Sequence, residues 1–220
     1  MNPERLLQHF ERLSEAPDAI PRLRRFILAL AVRGKLVEQD PDDEPAEELL
    51  KPLVQSKQQK GMQSRKGAQL QQLNDENGET PFQIPSNWLW LRIGTLFEVA
   101  GGIQKTPLRD QNHVIRCRPL DFQISPFVLQ FLNSPAGTAI MQRLAITTSG
   151  LYSLSVGKIR QIEVPLPPLA EQHRIVARVD ELMALCDQLE AQLTTTEADS
   201  RRLLEAMLHE ALAPELEETA

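Results

Sequence analysis

The chain has 220 residues, 41% of them hydrophobic, two cysteines and a formal net charge of −6, which is enough apolar matter for one or two folded domains. No stretch approaches the ~20 apolar residues of a membrane span, the N-terminus lacks a charged-then-apolar leader, and Cys117 and Cys186 stand in unrelated contexts that give neither a disulfide framework nor a metal site. The expectation is a cytoplasmic protein with free thiols, no cofactor and no membrane partner. The negative sum argues against a generic polyanion binder, but the charge is unevenly placed. Residues 1–80 carry twelve basic and fourteen acidic side chains, residues 81–164 eight and four, and residues 165–220 four and twelve. Only the middle, at +4, is a credible nucleic-acid surface, and the last stretch, at −8, should avoid DNA phosphates.

In chain order, Leu6, Leu7, Phe10 and Leu13 predict a short amphipathic helix that ends before Pro17. Ile20-Pro21 opens a second helix with Leu23, Phe26, Ile27, Leu30 and Ala31 on one face, and Gly34 ends it. Residues 38–45 are acidic and proline-containing, a loop, after which Pro45 restarts a helix with acids near the positive end of its dipole. These elements make residues 1–54 an N-terminal helical region. Residues 55–80, rich in Gln, Lys, Gly and Asn, read as a flexible linker.

Residues 81–164 form the candidate globular domain. Trp88 and Trp90 would point to opposite faces of an extended segment, and packing is the role expected of both. Residues 127–144 read as helix, Ser-Pro break, helix. Thr147 to Val156 reads as a polar loop entering a strand, and Ile159 to Val164 as a further strand.

Pro165, Pro167 and Pro168 forbid helix and regular sheet, so the chain should turn through a rigid elbow before a helix starts at Leu169. Ile175, Val179, Leu182, Cys186, Leu189 and Leu193 then alternate four and three apart, and the register resumes at Leu203 and Met207. This is a heptad seam. A single helix over 170–211 would span roughly 60 Å, long enough to call for a partner helix across that seam. Residues 165–213 are thus an elbow and coiled-coil helix, and 214–220 an acidic tail. The fold class is α+β: a small mixed domain joined to a long helix, with a helical N-terminal region.

No nucleophile with a base, paired carboxylates or metal cluster stands at useful spacing, so no catalytic residue is expected. The strongest base-reading candidate is Gly101-Gly102-Ile103-Gln104-Lys105-Thr106-Pro107. The glycines permit close approach, Gln104 can make a two-point contact with adenine, and Lys105 can meet guanine or phosphate. A plain turn with a solvated lysine remains the alternative. Arg109, Asn112, His113, Arg116 and Arg118 suit phosphate or base-edge contacts, and read equally well as a solvated basic loop. Thr147, Thr148, Ser149, Tyr152, Ser153 and Lys158 are consistent with phosphate positioning or with turns.

The wording PLPPLAEQHRIVARVDELMALCDQLE at 165–190 resembles the distal helical region of specificity subunits of type I restriction-modification systems. Trp88 to Gly94 followed by Gly101 to Pro107 looks like the opening of that family's target recognition domain. Phe131 to Pro135 and Ser149 to Ser155 look like its closing part, and Ile27 to Val37 with Asp40-Pro41 and Glu44-Pro45-Ala46 is similar to its lead-in. The resemblance implies a non-catalytic subunit that recognises double-stranded DNA and docks methyltransferase subunits and, through them, the restriction subunit.

Two departures stand out. Residues 82–164 number 83, below the ~100 to 150 typical of a domain, and Leu108-Arg109 passes into a stretch that looks like the latter half of the recognition domain. Intervening strands are absent. The family subunit also usually carries two recognition domains separated by two long helices, against one of each here. A second copy pairing antiparallel along the seam would restore two-fold symmetry, so a homodimer is expected. The alternative function is a coiled-coil assembly protein that keeps subunit docking without sequence-specific DNA reading.

Overall fold

A computed structural model describes residues 18–51, 81–101, 114–148 and 151–217, with side chains described outside 146–152 and 211–217. The predicted helix at residues 6–13 and the linker at 55–80 lie outside the described residues. The chain divides into two compact units, residues 25–179 and residues 1–24 with 180–220.

Helix α1 runs Ala19–Ala31. Its apolar face is rotated from the expected one: Ile20, Ile27, Leu28 and Ala31 are buried while Phe26 is exposed. The helix stops where foreseen. Gly34 adopts a φ of 66°, its N–H donates to Ala31 O, and the Lys35 N–H reaches back to Leu30 O at 3.0 Å. These paired bonds satisfy the last carbonyls and need the left-handed residue that glycine supplies. A Cβ at Gly34 would also collide with the ring of Pro85. Helix resumes at residue 46, one past Pro45.

The larger unit is α+β. Strand β1 (Leu89–Arg92) passes into a short helix α2 (Ile93–Leu96), then strand β2 (Phe97–Gly101), and β3 (Ile115–Pro119) follows. A 3-10 turn at Phe122–Ile124 leads to helix α3 (Ser125–Asn133) and helix α4 (Pro135–Leu144). The Ser-Pro break between them has a physical cause: Ser134 is the N-cap, its Oγ accepting from Gly137 N at 3.1 Å, with Pro135 at the first helical turn. Strands β4 (Ile146–Thr148) and β5 (Leu151–Ser153), helix α5 (Val156–Arg160), strand β6 (Glu163–Leu166) and the long helix α6 (Leu169–Glu217) complete the order.

Three two-stranded antiparallel sheets result among the described residues: β1 with β6, β2 with β3, and β4 with β5. The core beneath them gathers Val32 and Leu50 from the N-terminal stretch with Leu91, Leu96, Ile124, Phe131, Val164 and Leu166. Both tryptophans pack as expected, Trp88 edge-on to Phe127 and Trp90 edge-on to Phe82.

Three local expectations are corrected. Thr147 to Val156 is a hairpin followed by a helix start. Ile159 and Arg160 belong to that helix, because Ser155 caps it through Lys158 N, so the strand begins only at Glu163. Pro165 lies inside β6, paired with Trp90. A two-stranded ribbon leaves each strand one unpaired edge, where a proline without an N–H is tolerated.

Candidate nucleic-acid interface

The β2–β3 register pairs the strand that ends at Gly101 with the strand that carries Arg116 and Arg118. Glu98 pairs with Arg118, Ala100 with Arg116 and Gly101 with Ile115. The paired ends Gly101 and Ile115 therefore bracket residues 102–114 in the sequence. Gly102, Gln104, Lys105, Thr106, Arg109, Asn112 and His113 themselves lie outside the described residues. Arg116 and Arg118 are two apart on one strand, hence on one face, and both are exposed. The opposite face packs inward through Phe97 and Val99. Cys117, between the two arginines, carries a free thiol. Desolvation pushes its pKa up although the residue as a whole is exposed, making it a poor thiolate.

Helix α5 braces this hairpin. The Arg160 guanidinium donates to the Val99 carbonyl at 2.7 Å, and a Cβ at Gly94 would meet Arg160 at 3.1 Å, so a glycine permits the approach. Lys158 is half-buried on the same helix. The β4–β5 register sets Tyr152 opposite Thr147. Ser149 lies outside the described residues, and the Tyr152 side chain is likewise not described.

The elbow holds a buried polar network to which the sequence pattern assigned no role. Glu171, fully buried in the first turn of α6, accepts from Trp88 Nε1 at 2.8 Å and from Gln39 Nε2. Burial pushes its carboxyl pKa up, against the downward pull of those two donors. Gln172, also fully buried, donates to Pro167 O at 2.8 Å. Arg174 grips Asp43 with two parallel bonds, and that hydrogen bonding holds the Asp43 carboxyl below its ordinary range. The signal was present: Glu171, Gln172 and Arg174 are polar residues crowded beside prolines at a helix start.

Along the seam, Ile175, Val179, Leu182 and Cys186 are buried within the single chain. Leu189 and Leu193 are half-buried. Beyond them Leu203, Leu204, Met207 and Leu208 are 53–64% exposed. In the smaller unit Arg24 bridges Asp187 at 2.6 Å and Glu190 at 2.7 Å, joining α1 to α6. Among the described residues no group of His, Cys, Asp and Glu could hold a metal ion, and no helix is long and apolar enough to cross a membrane.

An exposed basic strand on a braced hairpin, followed by a proline elbow and a long helix, is the setting of a DNA-specificity module. Residues 82–196, more than half of the chain, match the family model described as the type I restriction modification DNA specificity domain, and the chain belongs to that family. It is 42% identical over 103 residues to the type I restriction enzyme EcoAI specificity subunit of Escherichia coli, covering 46% of this chain and 17% of that protein. It is 28% identical over 260 residues to the EcoEI specificity subunit of Escherichia coli, with 86% and 43% covered. To the EcoKI specificity subunit of Escherichia coli strain K12 it is 26% identical over 239 residues, with 93% and 51% covered. The chain thus spans about half the length of these relatives or less. No solved structure matches it significantly.

Proposed function

We propose that this chain is a half-length DNA-specificity subunit of a type I restriction-modification complex, acting in the cytoplasm without catalysis of its own. It holds duplex DNA at the β2–β3 end, through Gly101 to Thr106, Arg109, Asn112, His113, Arg116 and Arg118, with Ser149, Tyr152 and Lys158 as neighbouring phosphate contacts. Its helices dock the methyltransferase subunits and, through them, the restriction subunit. A second copy completes the split target site.

One observation carries the DNA assignment. The register of β2 with β3 pairs Gly101 with Ile115, and Arg116 and Arg118 are exposed on one face of β3. Support for an internally shortened recognition domain comes from alignment length. The match to the EcoEI subunit extends over 260 positions, more than the 220 residues of this chain, so it includes positions that have no counterpart here.

A second reading, an assembly protein that docks partners without reading DNA, is favoured by the exposed apolar stripe of α6 together with the intact elbow network. Co-expression with type I modification subunits, followed by size-exclusion chromatography with and without duplex DNA, separates the two. A complex that shifts with DNA supports the specificity subunit. A complex that ignores DNA supports the assembly protein, and no complex defeats the docking proposal.

A further inference from the structure

Besides the hairpin, the larger unit carries a cleft of about 420 Å³ between the residues following α1, the segment entering the domain, and α4. Among the described residues that line it, the charged ones are Arg33 and Arg143, and none carries a carboxylate. Arg33 is held in place before any ligand arrives. Its guanidinium lies 5.1 Å from the centre of the Phe82 ring, and Phe82 is itself fixed edge-on against buried Trp90, 5.0 Å between centroids. A guanidinium stacked on an aromatic face keeps its edge N–H groups free.

Several other arginines are engaged inside the chain: Arg22 with Asp18, Arg24 with Asp187 and Glu190, Arg174 with Asp43, and Arg160 with a backbone carbonyl. Arg33 and Arg143 have no such ion pair among the described residues. Two unpaired guanidinium groups, one pre-oriented, on an open cleft walled by the small side chains Ala29, Ala136 and Ala139 suit an anion that accepts several hydrogen bonds at once. A phosphodiester does this, and Arg is the side chain that matches its geometry.

We infer that the Arg33–Arg143 cleft is a second DNA contact, clamping backbone phosphate away from the base-reading hairpin and carrying no sequence preference. The inference rests on the DNA-binding reading above and adds to it a site made partly from the N-terminal stretch. Its role is to position the duplex, as phosphate contacts do, while base edges are read elsewhere.

The test is fluorescence anisotropy of a labelled duplex with the full chain across a salt series, comparing the wild type, R33Q/R143Q, R143Q alone and the control R201Q/R202Q. The control removes the same charge from the acidic helix α6. With one or two phosphates lost, R33Q/R143Q should flatten the slope of log affinity against log salt by about 1 to 2, equally on unrelated sequences, while the control leaves it unchanged. R143Q, which does not disturb the Arg33 stack, should give part of that loss even if the double variant folds poorly. An unchanged slope in R143Q and the double variant, with the wild type binding DNA, overturns the cleft and leaves the hairpin reading standing. An equal loss in the control reduces the effect to net charge and overturns the cleft as a site. A wild type that does not bind DNA overturns both.

Discussion

The indole N–H of Trp88 donates to Glu171 Oε2 at 2.8 Å across 83 residues of sequence. One end of that bond stands just before the first strand of the larger unit, and the other in the first turn of the long helix. Neither group can exchange its partner for water, since Trp88 is 3% and Glu171 0% exposed. Removing the carboxylate strands the buried Trp88 indole N–H, while the amide of Gln39, an exposed residue, can turn to water. Glu171→Ala should therefore lower unfolding stability by about 1 to 3 kcal/mol, measured by urea denaturation. A loss below about half a kilocalorie would mean that water reaches the indole.

The same carboxylate sets a pH dependence. Burial, the largest influence, raises the folded-state pKa of Glu171 above the ordinary 4.5. The folded state then holds that proton more tightly than the unfolded chain. Its favourable contribution is complete below 4.5 and is lost as pH rises through the folded value. Asp43 behaves oppositely: its pKa lies below 3.8 through the Arg174 hydrogen bonds, so its contribution is present above 3.8 and lost as pH falls through the folded value. Glu171→Gln removes the first dependence alone. The stability difference, wild type minus variant, should fall as pH rises from the ordinary 4.5 through the folded-state value. A difference independent of pH would refute the raised pKa.

Asp43→Asn should cost about 1 to 2 kcal/mol at neutral pH, and the wild-type advantage should vanish in acid below 3.8. The figure is kept small because the Arg174 side chain is 38% exposed although that of Asp43 is only 5%, and water screens the outer partner. Urea midpoints across the acid range check it. A cost that persists unchanged below the folded pKa would separate the loss from the ion pair.

On the β2–β3 hairpin and the helix α5 that braces it, the arginines divide by what they already touch. Arg116→Gln and Arg118→Gln should each flatten the salt slope of DNA binding by about 0.9. Arg160→Gln should instead cost about 1 kcal/mol of stability with little change in slope, because its guanidinium is bonded to Val99 O. Salt-series anisotropy with parallel thermal melts distinguishes the two effects. A larger slope change at Arg160 than at Arg116 would invert this assignment.

Local signals explain which parts of this fold were legible. Gly34, the Ser134-Pro135 break and the helix start at Leu169 rest on backbone chemistry that a sequence window contains. The rotation of α1, burying Leu28 in place of Phe26, depends on the surfaces surrounding the helix. The short α5 was hidden because Val156 and Ile159 look like strand residues until Ser155 caps them. Pairings such as Trp88 with Glu171, or Arg33 with Phe82, join residues too far apart for spacing to disclose. The candidate site was legible as composition, a glycine stretch and a run of arginines, while the pairing of Gly101 with Ile115 needed the β2–β3 register.

Burial along α6 moves the proposed assembly surface towards its C-terminal half. Leu182 is 3% exposed within one chain, so Leu182→Asp buries an unpaired charge and should destabilise the chain itself, by several kcal/mol, whatever its oligomeric state. A loss of assembly in that variant would say little about a partner. Leu203, Leu204, Met207 and Leu208 recur at helical spacing and stay 53–64% exposed, an apolar stripe that a second copy of this helix can cover. Leu203→Asp with Met207→Asp should leave the thermal midpoint of the larger unit unchanged and convert a dimer to a monomer in light scattering. A dimer that survives both charges would place its interface elsewhere, and a wild-type mass that stays monomeric at all concentrations would remove the homodimer from the proposed function.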